Sequence, residues 1–578
     1  MISLEQLNAA SLPDFVTALA GIFEYSPWIA ERAAAARPFR SRVALHEAMC
    51  AVIAAASADE QLKLIRAHPE LAGKAALRNE LTAESGTEQR GAGLNSCTPE
   101  ELARLHELNK TYSERFAFPF IVAVRGHTPA SIIQCFLERI GHSPAVEQQI
   151  ALHQIGRIGG FRLADAVAST PGEEIMAMID KLAQHSDSPD NLTCAYLTAA
   201  HRAVAEQLRD WMLAAGMSVD IDAVGNVVGR LPCGQAGAKT LITGSHYDTV
   251  IDAGRYDGRL GIVLPIVCAL GLRQQGRQLP FDLEIVGFAD EEGVRFKSTF
   301  LGSSAVAGCF DEALLDHVDA QGISMRDALR AAGFDPTAIP ALARKPEHLL
   351  GYAEVHIEQG PVLLNENRAL GVVTAIAGSV RYAVTVTGMA GHAGTVPMHV
   401  RRDAAAAAAE MVLAVEKLCS ATPGLVGTVG KLSVPNGAVN VIPGRCEFTI
   451  DLRAGDDSLR DATSRRVLEE IENIAARRNV GAEPRLLMTA AAAVCSPNMQ
   501  ERLARSIQRI TGEAAPRHLP SGAGHDAMKM ASVTDIGMLF VRCGNEGISH
   551  HPAESLTVAD AELAARVFID FLVTYQDA

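Results

Sequence analysis

The sequence predicts a multidomain protein: an all-α N-terminal domain, then an α/β domain interrupted by an inserted α+β segment. Three observations carry that expectation. Within the first 165 residues apolar positions recur at helical spacing, as in Leu45–Ile53 and Pro99–Tyr112, and few alternating runs compete. Further on, Thr240–Thr243 and Phe281–Phe288 are short apolar runs of the kind that form buried strands. From 376 to 492 a strand-like VRYAVTVTG is followed by a helical AAAAAAEMVLAVEKL, and this change of rhythm marks an insertion.

In order, residues 1–165 form the helical domain and 166–174 a small-residue linker with Thr170-Pro-Gly172 as its breaker. The α/β domain spans 175–375 and resumes over 493–578, leaving 376–492 as the inserted lid. The alanine tract at 404–409 reads as a helix face. With 578 residues, 48% of them hydrophobic, and a mean hydropathy of +0.11, several cores can be buried.

A net charge of -15 and a pI near 5.7 argue against nucleic acid as partner, and Arg401-Arg402 is too short a run to reverse that. The eleven cysteines lack metal spacing, which implies reduced thiols and a cytoplasmic protein. The N-terminus MISLEQLNAASLPDF has no basic, apolar leader pattern. Leu260–Leu272, the longest apolar stretch, contains Pro265 and is too short to span a bilayer, so no membrane association is expected.

Chemistry concentrates in Gly244–Val250 (GSHYDTV), Arg255–Gly258 (RYDG) and Ala289–Gly293 (ADEEG). A divalent cation needs anionic or imidazole ligands held on separate elements. His246, Asp257 and Glu292 meet that need from three successive strand ends or loops, and His356 and His550 can complete the set. His246 and Asp248 follow a strand, at the carboxyl edge where open α/β sheets place their sites. Asp248 is expected to accept a hydrogen bond from the second nitrogen of His246. Asp257 is the natural bridge between two cations about 3.5 Å apart, and Glu291, beside the ligand Glu292, is the general base.

These segments, with FADEEGVRF, TFLGS, His356-Ile-Glu-Gln-Gly-Pro-Val362, Gly391-His-Ala-Gly-Thr395, Asn440-Val-Ile-Pro443, Ile450-Asp-Leu-Arg453, Ser521-Gly-Ala-Gly-His-Asp526 and Ile548-Ser-His550, resemble the allantoate amidohydrolase and N-carbamoyl-amino-acid hydrolase branch of the M20 metallopeptidase clan. The resemblance covers about 175 to 578. It implies a di-metal hydrolase, one ion held by His246, Asp257 and His356 and the other by Asp257, Glu292 and His550. Manganese and zinc both suit such ligands. It further implies Asn440 and Arg453 on the substrate carboxylate, Gln359 on its ureido group, and Ser379 and His525 as further contacts. His392 is implied as the oxyanion stabiliser, lent across a homodimer formed through the lid. His201, outside these motifs, reads as a surface helix residue.

The helical domain shows no CxxC, glycine fingerprint or ligand array, so cofactor-free acid/base chemistry is expected there. Ala67-His-Pro-Glu-Leu-Ala-Gly-Lys74, Ser85-Gly-Thr-Glu-Gln-Arg-Gly-Ala-Gly-Leu94 and Phe118–Val124 resemble the family of 2-oxo-4-hydroxy-4-carboxy-5-ureidoimidazoline (OHCU) decarboxylases. The resemblance implies His68 as the proton-transfer residue and Glu88 as its partner. Ser85, Gly86, Thr87 and Gln89 would hold the ring and ureido groups, Pro69, Phe120, Ile121, Val122, Ala123 and Val124 would line the pocket, and Arg157 would meet the anionic substrate. Lys74 stands where relatives commonly carry Arg.

Together the two resemblances imply a bifunctional enzyme of purine breakdown, making (S)-allantoin at one site and hydrolysing allantoate at the other. N-carbamoyl-L-amino acids and N-carbamoyl-β-alanine remain alternative substrates of the second site, with the first domain a non-catalytic assembly module. The metal residues alone do not choose.

Overall fold

The computed structural model describes residues 1–73 and 81–575; Lys74 lies outside the described residues. Nine helices build the described part of the N-terminal region, from Leu4–Ala9 to the long Pro144–Ala166. Their starts show ordinary capping chemistry. Pro99–Phe116 opens with Thr98 and Glu101 in a reciprocal capping box and Pro99 in the first turn, and it buries Leu105, Leu108, Tyr112 and Phe116 along one face. The two ends of the region meet in a short parallel pairing of Ile2–Ser3 with Val167–Ala168.

The stretch 166–174 differs from the irregular linker expected. Pro171 starts the Pro171–Leu182 helix instead of breaking one, because proline's missing N–H costs nothing in a first turn. Glu174 on that helix is buried and pairs with buried Arg42, whose backbone N–H also donates to it at 2.9 Å. Arg125 and Arg273 both reach Asp165, at 2.7 and 2.6 Å. Buried and half-buried ion pairs thus fasten the helical region to the second region of the chain.

That second region is a nine-stranded mixed sheet. Ile536–Val541, Leu349–Ile357, Thr240–His246 and Asp282–Phe288 lie parallel at its centre, and these strands are buried along nearly their whole length. Leu260–Gln274, the apolar stretch with Pro265, is a helix apolar all round because it is buried all round. Residues 378–490 form a separate antiparallel sheet of Leu425–Thr428, Arg445–Ala454, Gly378–Thr387 and Gly481–Ala490. The helices Ala404–Ser420 and Asp457–Arg478 pack on it with their own apolar core. The alanine tract forms the first turns of the former helix.

Candidate active sites

The carboxyl ends of the central parallel strands gather one set of titratable groups. His246 ends one strand and His356 lies near the end of its neighbour, so both imidazoles emerge on the same edge of the sheet. Gly258 brings the next loop against them: its φ is +67°, and an added Cβ would lie 2.4 Å from the His246 carbonyl. Asp257 is therefore held between the two rings. Its Oδ1 lies 3.3 Å from His246 Nε2 and 3.2 Å from His356 Nε2. Its Oδ2 faces the other way, 3.1 Å from His550 Nε2, and His550 in turn is 3.4 Å from Glu292 Oε1. Each oxygen of one carboxylate thus addresses a different cluster of donors.

The electrostatics fit a cation pair. Burial works against ionisation of Asp257, but His246, His356 and His550 outweigh it and hold its carboxyl well below the usual range. Around it, burial pushes Glu291 well above its ordinary value, Glu292 up to about 7 and Asp526 up to about 8, with neighbouring carboxylates adding to each rise. A buried excess of acid that cannot all ionise unaided is what divalent ions neutralise. Donor groups close enough for ligation are His246–Asp257–His356, His246–Glu291–Glu292, Asp257–Glu292–His550 and Glu354–His356–His525.

Asp248 does more than expected: its Oδ1 lies 3.5 Å from His246 Nδ1, the contact the sequence predicts. His246 Nδ1 bonds the backbone carbonyl of Asp248 at 3.1 Å. The Asp248 carboxylate is drawn to the backbone N–H groups of Glu291 and Glu292, at 3.0 and 3.1 Å, and so fixes the turn that carries both glutamates. Gln359 does reach the centre: its Nε2 donates to Asp257 Oδ2 at 2.7 Å, while its Oε1 is buried without a partner among the described residues. Gln359 and His550 both hold left-handed backbone, with φ of 55° and 53°. Such strain at non-glycine residues collects at working sites. His525 is buried edge-on to the His356 ring and bonded to Ser521.

The inserted unit supplies four of the expected residues. Ser379 lies opposite Arg453 in paired strands, and Arg453 Nη1 donates to the Gly522 carbonyl at 3.0 Å, spanning from the insertion to the loop that carries His525. His392 lies opposite Val441, beside Asn440, whose carbonyl accepts from Ala393 N. His392 and Asn440 are both exposed, and neither belongs to the donor clusters above.

A second pocket lies wholly in the helical region, lined among others by His68, Pro69, Glu88, Phe120, Ile121, Val122, Val124 and Arg162. His68 is a helix C-cap whose Nδ1 donates to the Leu64 carbonyl at 3.0 Å; its Nε2 is buried with no partner among the described residues. Burial lowers its pKa to about 4, so the ring is neutral and Nε2 offers a lone pair. Arg162 bridges two carboxylates, with Nε 2.8 Å from Glu88 Oε1 and Nη2 3.1 Å from Glu24 Oε1. Burial disfavours the Glu24 anion, yet the Ser85 hydroxyl, Arg162 and Thr82 hold its carboxyl below the usual range.

Several expectations for this pocket change: Glu88, expected beside His68, bonds Arg162 instead, while the His68 ring bonds only the Leu64 carbonyl among the described residues. Arg157 does not enter it; it makes a bidentate pair with Asp210, Nη2 lying 2.5 Å from Oδ1. Ile158 and Arg162, four apart on the same helix, are the residues that face the pocket. Gly86 faces Leu81 and Arg90. Thr87 is exposed and bonded to the Ala83 carbonyl, because positions 85, 88 and 89 share the helix face that points inward. Ala123 is buried but turned away, its N–H donating to Gln154. Ser85 and Gln89 line the pocket with their polar atoms already engaged, Ser85 by Glu24 and Arg162, Gln89 by Ala72 N and the Glu70 carbonyl. His201 is not on the surface: it is buried, and its Nε2 meets the Ala289 carbonyl at 2.6 Å.

Residues 8–164 match the OHCU decarboxylase family, and residues 242–574 match peptidase family M20/M25/M40. The chain belongs to the M20 family. An allantoate deiminase from Arabidopsis thaliana is 40% identical over 429 residues, covering 69% of this chain and 82% of its own. An N-carbamoyl-L-amino acid amidohydrolase from Geobacillus stearothermophilus is 37% identical over 397 residues, 68% of this chain and 96% of its own. Among solved structures, a hydantoinase/carbamoylase family amidase from Burkholderia multivorans superposes with a TM-score of 0.66 at 31% identity, over 70% of this chain and 98% of its own.

Within this M20 unit, three carboxylates at the centre went unread in the sequence. Glu354 accepts from Ser245, Tyr352 and the Ala527 N–H. It stands two residues before His356 on one strand, hence on the same face, a period-two signal that was available. Asp526, beside His525, is buried as well. Glu554 accepts from the N–H groups of Tyr256 and Asp257 and from Ser549, binding the Asp257 loop to the His550 loop. In the OHCU decarboxylase region Glu24 and Arg162 were missed. Arg162 sits in the small and apolar run Gly159–Leu163, where a lone charge marks a buried, paired position.

Proposed function

We propose that this protein is bifunctional: its N-terminal domain decarboxylates OHCU to (S)-allantoin, and its M20 domain hydrolyses allantoate to ureidoglycine, ammonia and carbon dioxide, with ureidoglycolate arising as ureidoglycine breaks down. The observation that carries the hydrolytic half is Asp257, one carboxylate whose two oxygens serve two donor clusters. Allantoate is preferred because an allantoate deiminase is among the similar proteins and because the partner domain makes the ureide from which allantoate derives.

His246, Asp257 and His356 would hold one divalent ion, manganese or zinc, and Asp257, Glu292 and His550 the other. Bound there, the pair supplies positive charge to polarise the ureide carbonyl and to make water nucleophilic near neutral pH. Glu291 then takes the proton of the attacking water and returns it to the leaving nitrogen. Gln359 orients the ureido group, while Arg453, Asn440 and Ser379 hold the carboxylate; a guanidinium fork suits that ion. His525 buttresses His356. His392 faces the developing oxyanion of a partner subunit. An edge strand, Gly481–Ala490, with Leu486 54% and Leu487 46% exposed, supports a homodimer joined through this inserted lid.

In the decarboxylase pocket, no cofactor is invoked. Arg162 holds the substrate carboxylate, His68 Nε2 moves the proton as carbon dioxide leaves, and Glu88 fixes Arg162. No helix among the described residues is long and apolar enough to cross a membrane, and the eleven cysteines are all free, which supports a cytoplasmic setting.

The test is one preparation assayed on both reactions before and after chelation and metal return. Chelation should abolish hydrolysis of allantoate and spare decarboxylation of freshly made OHCU. Equal loss of both overturns the division of labour. Faster turnover of N-carbamoyl amino acids than of allantoate overturns the substrate choice.

A further inference from the structure

Where the two halves meet, a cavity of about 610 Å3 opens, distinct from both active sites. Its volume falls in the range of small-molecule sites. Helices from both halves wall it, Arg42–Ala55 and Pro144–Ala166 on one side, Ala199–Ala214 and Leu260–Gln274 on the other. One wall is shared. Pro144–Ala166 shows Arg157 and Phe161 to this cavity and Ile158 and Arg162 to the decarboxylase pocket.

The wall chemistry restricts what can bind. Every strong cation on it already has an acid: Arg42 has Glu174, Arg157 has Asp210, and Lys181 has Glu47 at 2.9 Å. Reaching Arg42 or Arg157 would cost an anion a buried pair, while the Lys181–Glu47 pair is part-exposed and screened by water. By contrast the half-buried Trp211 and Gln207 and the exposed His153 and Gln149 make no side-chain hydrogen bond among the described residues. They offer an indole N–H, two amides and an imidazole, all neutral. Partial desolvation and then the nearby Arg157 lower the pKa of His153, which favours the neutral ring. His46 and Gln61 also line the space but are engaged by the Gly156 and Ile53 carbonyls, and the rest of the surface is mostly apolar, with Phe161, Ile266 and Leu270 beside the flat Trp211 ring.

We propose that this cavity is a binding site for an uncharged, planar nitrogen heterocycle of nucleobase to nucleoside size, stacked on aromatic and aliphatic walls and read by neutral amide, indole and imidazole groups. The inference goes beyond either catalytic reading and does not depend on them.

The experiment uses the full-length protein with adenine and adenosine as probes, AMP as the charged analogue and indole as the flat ring without comparable hydrogen-bonding groups. Cys50 lines the cavity and is half-buried, so peptide-resolved alkylation reports its occupancy, and calorimetry reads binding independently. Adenine or adenosine at millimolar concentration should slow Cys50 alkylation at least about fivefold, and AMP and indole should bind at least about tenfold more weakly, a tenfold change being 1.4 kcal/mol. Ala54→Trp, an exposed position at the rim, should abolish protection and the calorimetric signal while leaving both enzymatic activities unchanged. Absence of binding by both neutral probes overturns the proposal, as does binding of AMP or indole equal to theirs, or protection that survives Ala54→Trp.

Discussion

Replacing Asp248 with Asn isolates the role that the structure gives this carboxylate. Asp248 is buried, and its two oxygens accept from Glu291 N and Glu292 N. An amide can satisfy one of these donors; the other is left buried against an NH2 group. An unsatisfied buried donor costs about 1–3 kcal/mol. At about 1.4 kcal/mol per decade, that is roughly a 5- to 150-fold loss, close to the 10- to 100-fold typical when a partner behind a metal ligand is removed. The loss should fall on one ion. His246 Nδ1 bonds the Asp248 backbone carbonyl at 3.1 Å, which the substitution leaves in place, and meets the carboxylate only at 3.5 Å, so the ion of His246, Asp257 and His356 should stay. The ion that needs Glu292 should weaken. The assay is metal content against free metal in a buffered series, with circular dichroism to confirm folding. Adding His550→Ala to Asp248→Asn should then remove nothing further, while adding His356→Ala should remove the remaining ion. The reverse pattern, or two ions held at parental affinity in Asp248→Asn, would refute the assignment.

The same geometry carries three more expectations. Arg162→Gln should abolish decarboxylation, whereas Arg157→Gln should leave it near normal and lower the melting temperature instead, since Arg157 pairs with Asp210; decarboxylation lost in Arg157→Gln would put that guanidinium back on the substrate. His68 titrates near 4 in the folded protein and near 6.5 when unfolded, so between these values only the unfolded chain takes the proton. Native stability therefore falls as pH drops from 6.5 to 4, by on the order of 3 kcal/mol from this residue, and a His68→Gln variant should show a correspondingly flatter acid slope in denaturant titrations. Co-expressing His392→Ala with Glu291→Gln, each inactive alone, should give mixed dimers with up to roughly half the wild-type activity per dimer, one site joining intact Glu291 to intact His392. Isolated mixed dimers as inactive as either homodimer would place His392 in its own subunit's service or outside catalysis.

Short-range pattern encodes some of this architecture and not the rest. Ligand residues at strand ends, such as His246 and His356, are legible because an apolar strand run ending in a polar motif has one structural meaning. The partner of a buried side chain is not, since it depends on which distant segment packs there. From sequence Asp248 faces the His two residues before it, and it does so at 3.5 Å, but the shorter bonds of its carboxylate go to N–H groups more than forty residues on, which no local pattern announces. Arg157 and Arg162 lie on one helix, and only the packing of Ala199–Ala214 decides which of them turns inward. His201 reads as exposed on an amphipathic stretch because nothing local announces that the Ala289 carbonyl waits above it.

The Arg42–Glu174 pair constrains how this protein is made. The two residues lie 132 positions apart, and Arg42 also donates to the Val167 carbonyl. During synthesis at about 5–20 residues per second, Arg42 leaves the ribosome on the order of ten seconds before its counter-ion exists. A guanidinium without its acid is not buried without penalty, so the groove between Arg42–Ala55 and Pro144–Ala166 stays open to water through that interval. The helical region therefore completes its folding only when the first helix of the second region arrives to close it.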